Sequence, residues 1–250
     1  MMWIVRRVLW FAVAYSIVTV VHEGAHAFVA RALGLEATLF NFWVNVDPTH
    51  QATTGQRAAF GVAGPLSSLI VGLVSWAGYR TATGTAAALP LLYLAAHGIT
   101  NFFGNLMSAA FVGDFSNVAS WIGLSRTIRY IVSAGGALTV AAVLFRAGRE
   151  LARLAPAPAG RALTAIGGVL VPALAGTGLI ILVNQPTPLP GFAAARMAEG
   201  AFWIFAAAGS LTPVSVSNRT DDMLRLQALD VVLASMVIVV IRLMIRGIPL

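Results

Sequence analysis

The chain has 250 residues, of which 58 % are hydrophobic and only 10 % are charged. Ordinary soluble domains are roughly one-quarter charged, so this composition argues against a soluble protein and indicates a single helical membrane domain. The formal net charge of +7 comes from arginine, because the chain contains no lysine. Most arginines, among them Arg6, Arg7, Arg80 and Arg126, flank apolar blocks, where we expect them to reach lipid headgroups rather than nucleic acid.

The apolar blocks predict a series of transmembrane helices. The first covers residues 8–30. Strict alternation at residues 39–47 then predicts a strand, which ends at Pro48 and is followed by a loop or a hairpin return. Further spans are predicted at residues 58–76, 85–112, 128–145, 163–183 and 231–245, with a short additional segment at 201–216. The expected fold is an all-α integral membrane protein of six or seven transmembrane helices with a short β-strand or hairpin after the first helix, and residues 146–161 are expected to form a surface loop.

The third predicted span carries a polar face. His97, Asn101 and Asn105 recur at every fourth position, so they share one side of a helix. Because polar groups are costly at bilayer depth, this side is expected to face the interior of the protein. No counterpart occurs in the C-terminal half, which argues against a transporter built from inverted repeats.

The sequence His22-Glu23-Gly24-Ala25-His26 lies in the first span. Histidines four residues apart project from the same side of a helix and can bind one zinc ion. Glu23, beside them, can act as the general base that takes a proton from the attacking water. Since the chain contains no cysteine, any metal must be held by histidine and carboxylate groups.

A catalytic zinc usually has three protein ligands, so a third is needed. Most of the remaining acidic residues lie in predicted loops or at the ends of spans. Asp114 differs because it follows the polar face of the third span, and His97 on that face competes with it for this role. His50, in a polar stretch, is expected to be solvated.

The chain resembles the site-2 protease family of intramembrane zinc metalloproteases over about residues 8–123. The resemblance rests on the histidine motif, on Ala63-Gly64-Pro65-Leu66 in the next span, and on Asn105-Leu106 followed by Asp114. It implies a catalytic core of three helices within residues 1–125, with Asp114 as the third zinc ligand, and residues 126–250 as additional helices of the same membrane domain. The chain departs from the family pattern at Ser108, often proline there, and at Phe115, often glycine.

The resemblance also suggests that Asn105 stabilises the developing oxyanion, the alternative being a hydrogen bond between helices. The expected function is a Zn²⁺ endopeptidase that cleaves a transmembrane segment of a partner protein. The edge of the strand at residues 39–47 would bind the unwound substrate. The alternatives are a catalytically silent homologue that serves as a structural or assembly subunit of a membrane complex and, less favoured, a metal or solute transporter. We expect the protein to reside in the inner or plasma membrane of a prokaryote, with a cytoplasmic N-terminus.

Overall fold

The structure is a computed structural model that describes residues 2–46, 52–156, 159–187, 191–214 and 227–249. Over these ranges the chain is mostly helical, with a small antiparallel sheet. The elements in chain order are α1 (Met2–Ala32), β1 (Ala37–Leu39), β2 (Val44–Val46), α2 (Thr54–Thr81), α3 (Ala88–Met107), α4 (Asp114–Trp121), α5 (Arg126–Arg153), α6 (Arg161–Ala165), a π-helical turn (Ile166–Leu170), α7 (Val171–Val183), α8 (Phe192–Ala201), α9 (Ile204–Ser210), α10 (Ala228–Met244) and β3 (Ile248–Pro249).

Among the described residues, four helical stretches are long and apolar enough to cross a membrane, which indicates an integral membrane protein. They are α1, α2, α5 and the continuous stretch Arg161–Val183 that comprises α6, the π-helical turn and α7. Large apolar side chains point outward from them, such as Val74 at 67 % and Leu138 at 74 % exposure, as expected of a surface in contact with lipid. Helices α3 and α10, with 20 and 17 residues, coincide with predicted spans but are not among these four. The total of six or seven spans stays a prediction.

Helix α3 lies between several of the long helices and packs against α1, α2 and α5. It meets α2 through a pair of glycines. A methyl group added to Gly98 would lie 2.7 Å from the Cα atom of Gly72 and 2.6 Å from the carbonyl oxygen of Ser68. Small residues of this kind allow the backbones of membrane helices to touch. Helix α2 also packs against α1, so it contacts both α3 and the helix that carries the histidine motif.

The sheet after α1 differs from the single strand predicted at residues 39–47. Two short strands, β1 and β2, form a hairpin, and β3 pairs with the other edge of β1, so the strand order is β2-β1-β3. The residues between β1 and β2 find partners outside the sheet: Asn41 donates to the side-chain oxygen of Asn184 at 2.6 Å, and Phe42 stacks on Phe192 at 4.4 Å. Sequence alternation alone could not reveal these contacts. Asp47 and Pro48 lie outside the described residues.

Arg6 and Arg7 do not reach the headgroup region, so the prediction was wrong for these two arginines. Their exposed fractions are only 2 % and 1 %. Arg6 Nε lies 2.8 Å from a carboxylate oxygen of Asp230 on α10, and Arg7 donates to the carbonyls of Gly168 and Leu151 at 2.7 and 2.8 Å. Both carbonyls lie where a helix is interrupted or ends, and such groups need partners from outside the helix. The two side chains therefore join the start of α1 to α5, the π-helical turn and α10.

Two predicted boundaries also needed correction. Helix α5 continues to Arg153, so much of the expected loop at residues 146–161 is helical. Tertiary packing accounts for the difference, since Ala147 and Leu151 in this stretch are buried and α5 packs against α9, while Arg146 and Arg153 add ion pairs to Glu150 at 3.8 and 2.8 Å. The third predicted span ends early: α3 stops at Met107, and Asp114 begins the separate helix α4.

Candidate metal centre

The two histidines of the motif lie side by side on α1, as their spacing predicts. Their ring centroids are 4.8 Å apart, and the Nε2 atom of His22 lies 3.1 Å from the Nε2 atom of His26. Their exposed fractions are 6 % and 3 %. One turn of helix therefore directs two imidazole nitrogens toward a common point inside the protein.

Asp114 completes the group from a distant part of the chain. Its Oδ2 atom lies 3.0 Å from His22 Nε2 and 3.5 Å from His26 Nε2. The carboxylate is in place because α4 packs against α2 and because Gly113, immediately before it, has a positive φ of 98°. Glycine adopts such a backbone conformation without strain. The three residues form a group whose ligand atoms all lie within 4.8 Å of one another, and such a group could hold a metal ion.

Helix α2 sets the orientation of both rings. His26 Nδ1 lies 2.6 Å from the carbonyl oxygen of Phe60, which can only accept, so this nitrogen carries the proton. His22 Nδ1 lies 3.1 Å from Ser68 Oγ, which itself donates to the carbonyl of Gly64 at 3.2 Å and so accepts from the ring. If both imidazoles are neutral, each Nε2 atom then presents a lone pair. The two lone pairs face each other and the carboxylate of Asp114.

Such an arrangement of acceptors is repulsive unless a metal ion or a proton lies between them. Metal-binding histidines commonly donate their other ring nitrogen to a carbonyl or hydroxyl oxygen, as both rings do here. Two imidazoles and one carboxylate are also a donor set that suits zinc. The residues present therefore fit the expected ion, whose identity stays a prediction.

Gly64 provides the space in which the rings meet. A methyl group added at this position would collide with His26 Nε2 and would lie 2.6 Å from His22 Nε2. Gly64 belongs to the Ala63-Gly64-Pro65-Leu66 stretch, one of the features that carry the family resemblance. Its position shows a direct steric reason for glycine, because α2 passes immediately over the two nitrogens.

A cavity of about 450 Å³ adjoins the group, and it is lined by His22, Glu23 and Asp114 together with Asn105 of α3. Glu23 is buried, with 7 % of its surface exposed. The side-chain amide of Asn105 donates to the carbonyl of Asn101 in its own helix at 3.1 Å, so this hydrogen bond does not join two helices. An amide carries two N–H groups, and the suggested role in oxyanion stabilisation stays a prediction.

His97 is not part of the metal-binding group. Its ring packs edge-on against Phe11 at 4.7 Å and lies 5.2 Å from Trp203, and it lines another part of the same cavity. Of the two residues considered for the third ligand position, the structure brings Asp114 to the motif. His50 lies outside the described residues.

Comparisons with protein-family models, curated proteins and solved structures found no match to this chain. The geometry of the site therefore carries the functional argument.

Sequence reasoning missed the residues of α2 that hold the histidines. Ser68 follows the Gly64-Pro65 pair by three residues, and a serine on the same helical face as that glycine was the available signal. The contribution of Phe60 is a backbone carbonyl, which no side-chain pattern could indicate.

Proposed function

We propose that the protein is a zinc-dependent endopeptidase that cleaves a transmembrane segment of a partner protein, as its resemblance to the site-2 protease family implies. One observation carries the proposal: two histidines and an aspartate converge beside a cavity that a buried glutamate also lines. Structural zinc sites usually have four protein ligands, whereas catalytic sites have three and an open position. The three ligands found among the described residues favour the second kind.

A bound zinc ion would supply Lewis acidity, which activates water and polarises the peptide carbonyl. Glu23 would accept the proton of the attacking water and pass it to the departing amine. Asn105 would donate its amide to the oxygen on which negative charge develops. The hydrogen bonds from α2 keep both imidazoles in the tautomer that offers Nε2 to the metal.

The sheet supports a means of holding the substrate. Within the described residues β2 pairs only with β1, so its other edge is available to an extended peptide, the strand-addition mode of recognition. Phe42, beside this strand, also lines the cavity. Replacing Phe42 and Val44 by proline should abolish cleavage while zinc binding persists. If cleavage continued at the normal rate, strand addition would have to be abandoned.

The decisive experiment compares the wild-type protein with Glu23→Gln, both reconstituted in lipid with a set of tagged transmembrane peptides. The wild type should cleave at least one peptide and bind one zinc ion per chain. The variant should bind zinc equally and lose roughly 100-fold or more in rate, the usual contribution of a general base.

His22→Ala, as a companion variant, should lose both zinc and activity. Zinc binding without any cleavage, in wild type and Glu23→Gln alike, would instead favour the silent homologue that serves as a subunit of a membrane complex.

A further inference from the structure

The cavity beside the metal-binding group extends to a second polar region, here named the inner lobe. It is lined by Tyr15, His97, Asn101, Arg196 and Trp203. Tyr15 precedes His22 by seven residues on α1, a separation of about 10 Å along the helix axis. The inner lobe thus lies near the middle of the 31-residue helix α1, at bilayer depth, and the proposed cleavage chemistry does not use its polar groups.

Three polar atoms of the inner lobe are buried without a hydrogen-bond partner in the part of the chain that the structure describes. They are His97 Nε2, Asn101 Oδ1 and Arg196 Nε. The His97 ring and the Arg196 guanidinium both lie against Tyr15, at 5.7 and 5.5 Å from its centroid, and Asn101 lies one helical turn from His97. Buried polar atoms without partners are costly, above all within a membrane. Their convergence on one cavity indicates a ligand that satisfies them.

The donor and acceptor character of these atoms defines the chemistry of that ligand. A neutral imidazole donates from one ring nitrogen and accepts at the other, so His97 Nε2 is an acceptor in the tautomer that carries its proton on Nδ1. Asn101 Oδ1 is a second acceptor, and Arg196 Nε–H is a donor. The positive charge of Arg196 is balanced by Glu199 at 2.7 Å, so the site favours a neutral group. A primary carboxamide, with two N–H donors and one acceptor oxygen, matches this set.

We propose that the inner lobe binds the side-chain carboxamide of a glutamine or asparagine in the substrate's transmembrane segment. The inference rests on the proposed endopeptidase function, because it assigns a specificity subsite to the same cavity. An extended chain advances about 3.3 Å per residue, so the 10 Å separation places this side chain roughly three residues from the cleaved bond.

Binding, rather than cleavage, tests the subsite. The full-length Glu23→Gln protein in lipid nanodiscs is titrated with fluorescent peptides that share one Leu/Ala transmembrane sequence. Each carries a single glutamine or, as reference, leucine at one of the central positions. At the best position the glutamine peptide should bind at least fivefold more tightly, since one net hydrogen bond contributes about 1 kcal/mol.

His97→Leu and Asn101→Leu, each added to this background, should reduce that preference below twofold. Tyr93→Phe is the matched control. It removes another buried polar atom without a described partner from the same helix, but Tyr93 does not line the cavity, so the preference should remain.

Equal affinities for the glutamine and leucine peptides, or no binding of either peptide, would overturn the proposed subsite even if the wild type cleaves peptides. A preference that survives both leucine variants would also overturn it. Conversely, selective binding without cleavage by the wild type would refute the endopeptidase function and leave the carboxamide site standing.

Discussion

Replacing Gly64 by alanine tests how closely α2 approaches the metal-binding group. The added methyl carbon would lie 2.6 Å from His22 Nε2, about 0.8 Å less than the 3.4 Å at which ordinary contact begins, and it would collide with His26 Nε2. Metal sites tolerate deviations of only about 0.2 Å in ligand distance. A displacement several times larger, imposed on two ligands at once, should weaken zinc binding by roughly 100-fold or more, the upper end of second-shell effects.

The fold should tolerate this change, because overpacking by one methyl group typically costs about 1–3 kcal/mol. Zinc affinity is measured by competition with a chromophoric chelator, and thermal unfolding is followed in the same detergent. Gly24→Ala is the matched control, since it adds the same methyl group to the motif itself and meets nothing within 4 Å. Zinc affinity of Gly64→Ala within threefold of the wild type would refute the placement of α2 over the two nitrogens.

Two further predictions address the partners of α1. Ser68→Ala removes the hydrogen bond that orients the first histidine and should reduce zinc affinity by roughly tenfold in the chelator assay. Ser67→Ala, which also loses a bond to the carbonyl of Gly64, should not; equal losses would contradict the orienting role. Asp230→Leu leaves Arg6 buried without its carboxylate and should lower the free energy of unfolding by about 3 kcal/mol. Adding Arg6→Met should restore only part of it, as judged by thermal unfolding, because Asp230 also accepts from Trp10 Nε1 and from the backbone N–H of Gln227.

The sequence predicts the parts of the site that depend on local spacing. The pair His22 and His26 follows from helical periodicity, so their convergence required no knowledge of the tertiary fold. The approach of Asp114 did not follow in this way. Its proximity depends on the turn after α3 and on the packing of α4, and the resemblance to a family supplied the assignment that spacing left open.

Long-range pairing accounts for the main errors. Arg6 resembled a headgroup anchor because arginine next to an apolar block usually is one. Its true partner, Asp230, is 224 positions away, and nothing in either local pattern joins them. The single strand predicted at residues 39–47 was wrong for the same reason, since Asn41 and Phe42 leave the alternation to contact Asn184 and Phe192, and alternation cannot indicate such contacts.

The contacts of α1 and β1 have a consequence for biosynthesis. Arg6 is neutralised by a residue of α10, and β1 acquires its second neighbour only from β3 at Ile248–Pro249. Arg6 therefore lacks its carboxylate partner until α10 has been synthesised. Maturation of the N-terminal half is completed only when these late-emerging segments have inserted and docked.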